Sequence, residues 1–152
     1  MLVNNFNPKS KTDNSESNSL NNWPIYYRSI YVHETDKDGV VHFSNYCKVA
    51  EEAMFNGFQA LGFSFKNSGY SVAMINISIN YINPIEFGDQ IAVVPKSFTI
   101  KRVKLFLTLE FYREQNLMAE IKLTFATILN NERKVILVPA NMREKLSSAV
   151  GE

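Results

Sequence analysis

The chain has 152 residues, of which 45% are hydrophobic and 20% are charged, and its formal net charge is +1. This size and composition predict one folded domain with no global charge that would attract nucleic acid or an anionic membrane. A single cysteine excludes an intrachain disulfide, no apolar run approaches the ~20 residues of a membrane helix, and no signal-peptide core is visible. We therefore expect a cytoplasmic protein with neither nucleic-acid nor membrane partners.

Residues 1–22 are rich in Asn, Ser and Lys and contain few large apolar side chains. Such a segment buries too little surface to offset the entropy that it loses on ordering, so we predict a disordered tail. The alternative is an arm that orders against a partner subunit through Phe6 and Leu20. The folded domain is predicted to begin at Trp23 and to extend to residue 147.

Aromatic and β-branched residues predict a first strand over Tyr26–Glu34. A turn at Asp36–Gly39 follows, and then a long helix that is capped by Ser44 or Asn45 and stopped by Gly62. The apolar residues of this helix recur at helical spacing and share one face: Tyr46, Ala50, Ala53, Met54, Gly57, Phe58 and Leu61.

The second half of the chain is predicted to be mostly strands. Alternation of apolar and small polar residues indicates a strand over 72–82, with Ile75, Ile77, Ile79 and Tyr81 on one face. Further strands are predicted over 90–100, 105–113, 118–129 and 134–138, with turns at 115–116 and 130–132 and a short helix over 139–146. This order predicts an α+β domain in which an antiparallel sheet wraps around one long central helix.

Ionisable and turn-forming residues are densest from His33 to Tyr46, just before and at the start of the long helix. The first backbone N–H groups of a helix lack intrahelical partners and carry partial positive charge, so they can stabilise an acyl oxyanion. A carboxylate on the preceding loop can attack the carbonyl or deprotonate a water. This segment is therefore the candidate for acyl chemistry, although Asp36 and Asp38 are also ordinary turn residues.

The run Glu34–Tyr46 (ETDKDGVVHFSNY) resembles the signature of the 4-hydroxybenzoyl-CoA thioesterase branch of the hotdog-fold superfamily. In that signature an Asp-rich turn leads into Gly, a hydrophobic residue, Val and an aromatic pair. The segment Ile79–Asp89 (INYINPIEFGD) resembles a second family feature, a strand followed by a Pro turn and Gly-Asp. Glu34–Asn45 is also similar to the matching run of the 1,4-dihydroxy-2-naphthoyl-CoA hydrolases of cyanobacterial and plastid phylloquinone synthesis. The resemblance spans roughly residues 26–138.

The resemblance implies the hotdog fold and the hydrolysis of an aromatic acyl-CoA. Asp36 matches the catalytic carboxylate of the family, as nucleophile or as general base. The backbone N–H of Phe43 matches the group that polarises the thioester carbonyl. No metal or redox cofactor is implied, since coenzyme A enters only as part of the substrate.

The resemblance also implies substrate contacts by His42, Tyr46, Arg102 and Lys104, the last two near positions that hold the nucleotide. Short-chain and Tol–Pal-associated relatives carry His where this chain has Phe43, so a catalytic role for His42 does not transfer from them. We expect His42 to be a cap or loop residue rather than a proton shuttle. A homodimer or homotetramer is implied, with each site built from two chains.

Several alternatives remain open on the residues alone. One alternative is an enzyme for fatty acyl groups on coenzyme A or acyl carrier protein. Another is a protein that binds acyl thioesters without cleaving them. Glu34 is expected to end a strand in solvent, and Glu51 and Glu52 to lie on a solvated helix face. If it does not bind phosphate, the cluster Lys101–Lys104 is a solvated turn.

Overall fold

The computed structural model describes Leu20, residues 22–147 and Ala149. Its elements in chain order are β1 (Tyr26–Ser29), a 3-10 turn (Val32–Glu34), α1 (Phe43–Ala60), β2 (Tyr70–Tyr81), β3 (Gln90–Ile100), β4 (Lys104–Arg113), β5 (Asn116–Leu129), β6 (Lys134–Val135) and α2 (Ala140–Ser147). Most of the predicted tail lies outside the described residues, but Leu20 is described and is buried in the core. Neither of the two described helices is long and apolar enough to span a membrane.

One antiparallel sheet of six strands forms the body of the domain, in the order β1-β3-β4-β5-β2 with β6 added beside β5. Alternate residues of β4 face the core, because successive side chains of a strand point to opposite faces. Helix α1 lies against this face: Tyr46 stacks on Phe111 at 5.8 Å, and Phe58 meets Phe98 at 6.4 Å between ring centroids. The predicted α+β architecture, a sheet around one long helix, is confirmed.

The two ends of α1 have different caps. The N-cap is His42, whose Nδ1 accepts the N–H of Ser44 at 3.3 Å, so the expected caps Ser44 and Asn45 are wrong. Asn45 instead uses its side-chain amide to bond the carbonyl of Glu34 at 2.6 Å. At the other end Gly62 has φ +82°, and the N–H of Phe63 bonds the carbonyl of Phe58 at 2.9 Å. The predicted stop at Gly62 is confirmed.

Strand boundaries differ from the expected ones where local hydrogen bonds compete with the sheet. The first strand ends at Ser29 instead of Glu34, because the N–H of Glu34 bonds the carbonyl of Tyr31 at 3.0 Å and closes a 3-10 turn. The β4–β5 turn occupies 114–115 instead of 115–116, and Glu114 takes the left-handed backbone there with φ 54°. The last strand stops at Val135.

Strand β2 forms an edge of the sheet. Eleven of its twelve residues pair with β5, and no described residue pairs with its other side. Of the residues predicted to share one apolar face, Ile77 and Ile79 are half-buried and pack against the core, whereas Ile75 and Tyr81 are exposed. A register shift at Ile75 adds a bulge within this edge.

Candidate active site

The turn that carries Asp36 is a narrow hairpin. The N–H of Asp36 bonds the carbonyl of Val40 at 2.8 Å, and Thr35 forms a bridge with Val41. The Oδ1 atom of Asp36 accepts the N–H groups of Asp38 at 2.8 Å and Val40 at 3.2 Å. No donor among the described residues reaches Oδ2. The carboxylate is therefore exposed and fixed through one oxygen, with the second oxygen available for chemistry.

The start of α1 continues the same hairpin. The N–H of His42 bonds the carbonyl of Glu34 at 3.1 Å, two residue pairs beyond the pairing of Asp36 with Val40. The two hydrogen-bonded pairs are therefore about 7 Å apart along the hairpin. Phe43 is the first helical residue, and no described residue accepts its backbone N–H. The structure thus brings the Asp36 carboxylate and an unpaired helical N–H group to the same side of the domain.

A cavity of about 360 Å³ opens next to the Asp36 turn. Its lining comes from that turn, from the start of α1 and from the end of β2: Val40, Val41, Phe43, Tyr46, Tyr81, Ile82, Asn83 and Pro84. Val40 is the residue that pairs with Asp36, so the cavity and the carboxylate share one wall. A mainly apolar, partly aromatic cavity beside a carboxylate suits a planar hydrophobic acyl group.

Tyr46 and Tyr81 both line this cavity and make an edge-to-face contact at 5.0 Å between ring centroids. Burial raises the pKa of Tyr46, and a hydrogen bond with the backbone of Ile85 opposes part of this effect. Burial also raises the pKa of Tyr81. Both phenols are therefore neutral at physiological pH and can form hydrogen bonds without placing a charge in the cavity.

His42 does not line the cavity. Its Nδ1 contacts both the N–H and, at 2.7 Å, the hydroxyl of Ser44, and its ring packs 4.2 Å from that of Phe43. This places His42 as a helix cap, the role that we expected over proton transfer. Any contact with substrate would use the other edge of an exposed ring.

Arg102 and Lys104 lie at the opposite end of the sheet from the cavity of the same chain. The N–H of Lys101 bonds the carbonyl of Lys104 at 2.8 Å and closes the β3–β4 turn. Arg102 lies in this turn, and Lys104 is the first residue of β4. The sheet register places Lys104 level with residue 73 of β2, eight residues from Tyr81. Eight residues of strand span about 26 Å. One chain therefore does not bring its own basic turn to Asp36.

A buried ionic cluster beside the candidate site was not anticipated from the sequence. Glu34 is 2% exposed and pairs with Arg28 of β1, so the expectation that Glu34 ends a strand in solvent is wrong. Arg28 also binds Glu52 at 2.8 Å, which removes Glu52 from the expected solvated face of α1. The cluster joins three separate elements, and the only signal for it in the sequence was the charge of Arg28 within an apolar strand.

Comparison with known proteins assigns the family. The model of the thioesterase-like superfamily matches residues 31–146. The 1,4-dihydroxy-2-naphthoyl-CoA hydrolase of Thermosynechococcus vestitus is 31% identical over 90 residues, covering 55% of this chain and 62% of that protein. The enzyme of the same name from Microcystis aeruginosa is 26% identical over 128 residues, covering 80% and 91%.

The fold is shared with solved thioesterase structures. The crystal structure of Slr0204, a 1,4-dihydroxy-2-naphthoyl-CoA thioesterase from Synechocystis, superposes with a TM-score of 0.73 at 22% identity, covering 81% of this chain and 94% of that one. The chain belongs to the thioesterase-like superfamily. It is a thioesterase with the hotdog fold.

Proposed function

We propose that this thioesterase hydrolyses an aromatic acyl-CoA, and that its substrate is 1,4-dihydroxy-2-naphthoyl-CoA of phylloquinone biosynthesis. The observation that carries the proposal is the Asp36 carboxylate, anchored through Oδ1 on the same side of the domain as the Phe43 N–H and next to an aromatic cavity. The relatives named for this activity support the choice of acyl group.

The geometry suggests how hydrolysis proceeds. The thioester carbonyl accepts a hydrogen bond from the N–H of Phe43, which stabilises the oxyanion of the tetrahedral intermediate. Asp36 either removes a proton from an attacking water or attacks the carbonyl itself and forms a mixed anhydride that water then cleaves. In both routes the C–S bond breaks, coenzyme A leaves as the thiol, and the acyl group leaves as the carboxylate.

The same proposal includes a homodimer formed through the free edge of β2. An unpaired edge strand with exposed apolar side chains is a template for pairing with a second chain. Antiparallel pairing of two β2 edges about a two-fold axis reverses the partner sheet. The partner's basic turn then comes to the end at which this chain has Tyr81, so Arg102 and Lys104 of one protomer reach coenzyme A phosphates in the site of the other.

The first experiment measures thiol release from 1,4-dihydroxy-2-naphthoyl-, 4-hydroxybenzoyl-, benzoyl- and mid-chain fatty acyl-CoA. We expect the naphthoyl ester to be preferred and Asp36→Asn to lower kcat by about 10³-fold, the range of a lost general base. Asp38→Asn is the matched control, since the turn uses the backbone N–H of Asp38, and it should stay near wild type. Preference for fatty acyl esters would refute the aromatic assignment. Cleavage of no ester would favour a binding protein.

A second experiment tests the composite site. Arg102→Ala should raise KM for the CoA ester about tenfold, the equivalent of one charge-assisted phosphate contact, and leave KM for the matching acyl-pantetheine unchanged. Lys122→Ala removes an exposed cation from β5 and serves as the control. Equal effects on both esters would contradict a phosphate contact.

Ile75→Lys should convert the dimer to monomers in light scattering and abolish turnover.

A further inference from the structure

A cluster of two carboxylates, one guanidinium and one phenol joins β1, the 3-10 turn and α1. Arg28 bonds Glu34 through Nη2 and Glu52 through Nη1, the latter at 2.8 Å. The hydroxyl of Tyr26 donates to the same oxygen of Glu52 at 3.0 Å. The side chains of Arg28 and Glu34 are 12% and 3% exposed. Burial alone would lower the pKa of Arg28, but the bond to Glu34 and both carboxylate charges raise it overall.

Glu34 connects this cluster to both halves of the candidate site. Its carboxylate accepts the N–H of Tyr31 at 2.9 Å, which fixes the 3-10 turn that leads to Asp36 two residues later. Its carbonyl accepts the N–H of His42 at 3.1 Å and the side-chain amide of Asn45 at 2.6 Å. A single buried residue therefore determines where the Asp36 turn begins and where α1 begins.

Arg28 adds a second point of attachment on the helix. Glu52 lies nine residues after Phe43, which corresponds to two and a half helical turns. With its start held by Glu34 and its middle held through Glu52, α1 cannot rotate or slide relative to β1 without breaking hydrogen bonds of Glu34 or the partly buried Arg28–Glu52 ion pair. The position of the Phe43 N–H follows from this attachment.

We propose that Arg28, Glu34 and Glu52, called here the Arg28 clamp, are positioning residues that set the Asp36 carboxylate relative to the Phe43 N–H. This inference rests on the proposed function. Buried ion pairs are often no more stabilising than apolar residues of the same volume, so stability alone does not account for the clamp. A fixed orientation of the catalytic groups does account for the clamp, because a displacement of about 1 Å at a reacting group lowers the rate by about 10²-fold.

The test compares clamp variants with a core variant of similar stability. Glu34→Gln and Arg28→Met should lower kcat by about 30- to 100-fold, with KM within about threefold of wild type, well below their unfolding temperatures. Arg28→Lys should recover part of kcat, because Lys keeps the charge but loses the fork that bridges two carboxylates. Leu107→Ala weakens the buried sheet instead, and Glu120→Gln removes a surface ion pair. Equal loss of kcat in Leu107→Ala, or none in the clamp variants, would overturn the proposal.

Amide hydrogen exchange separates failure of the clamp from failure of the proposed function. In Arg28→Met the N–H groups of Tyr31 and His42 should exchange at least tenfold faster, while those of Leu107 and Leu123 in the sheet stay protected. If the wild type cleaves no thioester, the proposed function fails, and unchanged exchange at Tyr31 and His42 would then refute the clamp as well. If Arg28→Met does not fold, Glu52→Gln gives the same comparison, since Glu52 is only partly buried.

Discussion

The two ends of α1 are held by different forces. At the C-terminal end, aromatic rings pack around Phe58 with centroid separations of 5.5 Å to Trp23 and 5.6 Å to Phe65. At the N-terminal end the contacts are hydrogen bonds and ion pairs around Glu34 and Arg28, and Phe43 is 66% exposed. One helix thus joins a hydrophobic anchor to a polar and partly open site.

This difference separates stability from geometry. Burial of apolar area is strong but not directional, so the aromatic end stabilises the domain without fixing the orientation of distant groups. Hydrogen bonds add less to the free energy of unfolding but depend steeply on angle, so the polar end fixes where the Asp36 carboxylate lies. Substitutions at the aromatic end should change stability, and substitutions of the residues that position Asp36 at the polar end should change catalysis.

The largest expected effect on stability is at Phe58. Phe58→Ala leaves a cavity among rings and should lower the free energy of unfolding by about 3–5 kcal/mol in urea titration. The kcat of the remaining folded enzyme should match wild type. Phe55→Ala, on the exposed side of the same helix, is the control and should cost less than about 1 kcal/mol. A proportional fall of kcat in Phe58→Ala would show that the two ends are coupled.

Gly57 gives a smaller effect at the same end. A Cβ at this position would meet the Trp23 ring at 2.1 Å, so the indole covers the helix where only glycine leaves room. Gly57→Ala should destabilise by about 1–3 kcal/mol through overpacking, although alanine favours helix. In a Trp23→Ala background the same change should be neutral or stabilising. Additive losses in this double-mutant cycle would contradict the contact.

The sequence predicted the fold because its signals are local. The apolar face of α1 recurs at helical spacing, and Gly62 supplies the left-handed residue that the helix end requires. The bounds of β3 were also predicted correctly, since Gln90–Ile100 lies between clear turn residues. The position of Asp36 beside the helix start followed from the motif and from the short hairpin.

The polar end could not be predicted in the same way. Glu34 is buried against Arg28, six residues earlier, and Arg28 also pairs with Glu52 on the helix. No periodicity in the sequence encodes these pairings. Ser44 and Asn45 were favoured as the N-cap because they have higher capping preference, and His42 was expected only as a cap or loop residue. The hairpin engages the Asn45 side chain elsewhere, and His42 is the cap. The distance between Lys104 and the cavity could not be predicted either, because it depends on the register of three strands.

A moderate effect is expected at the cap itself. His42→Ala removes the acceptor for the Ser44 N–H and should cost about 1 kcal/mol in urea titration, while His42→Asn should restore most of it. Because the His42 ring does not line the cavity, kcat should stay within about threefold of wild type. A large fall in kcat without a loss of stability would show instead that His42 contacts the substrate.

The smallest expected effect at neutral pH concerns Tyr112, a residue of β4. Burial and the nearby Glu110 carboxylate raise the pKa of Tyr112 to about 12. The folded protein therefore favours the neutral phenol, whereas the unfolded chain releases the proton near pH 10. This contribution to stability is fully present below pH 10 and is lost as the pH rises towards 12. Tyr112→Phe should leave the unfolding temperature nearly unchanged at pH 8 and reduce its fall between pH 10 and 12. Equal falls in both proteins would mean that Tyr112 ionises as freely in the folded state as in the unfolded chain.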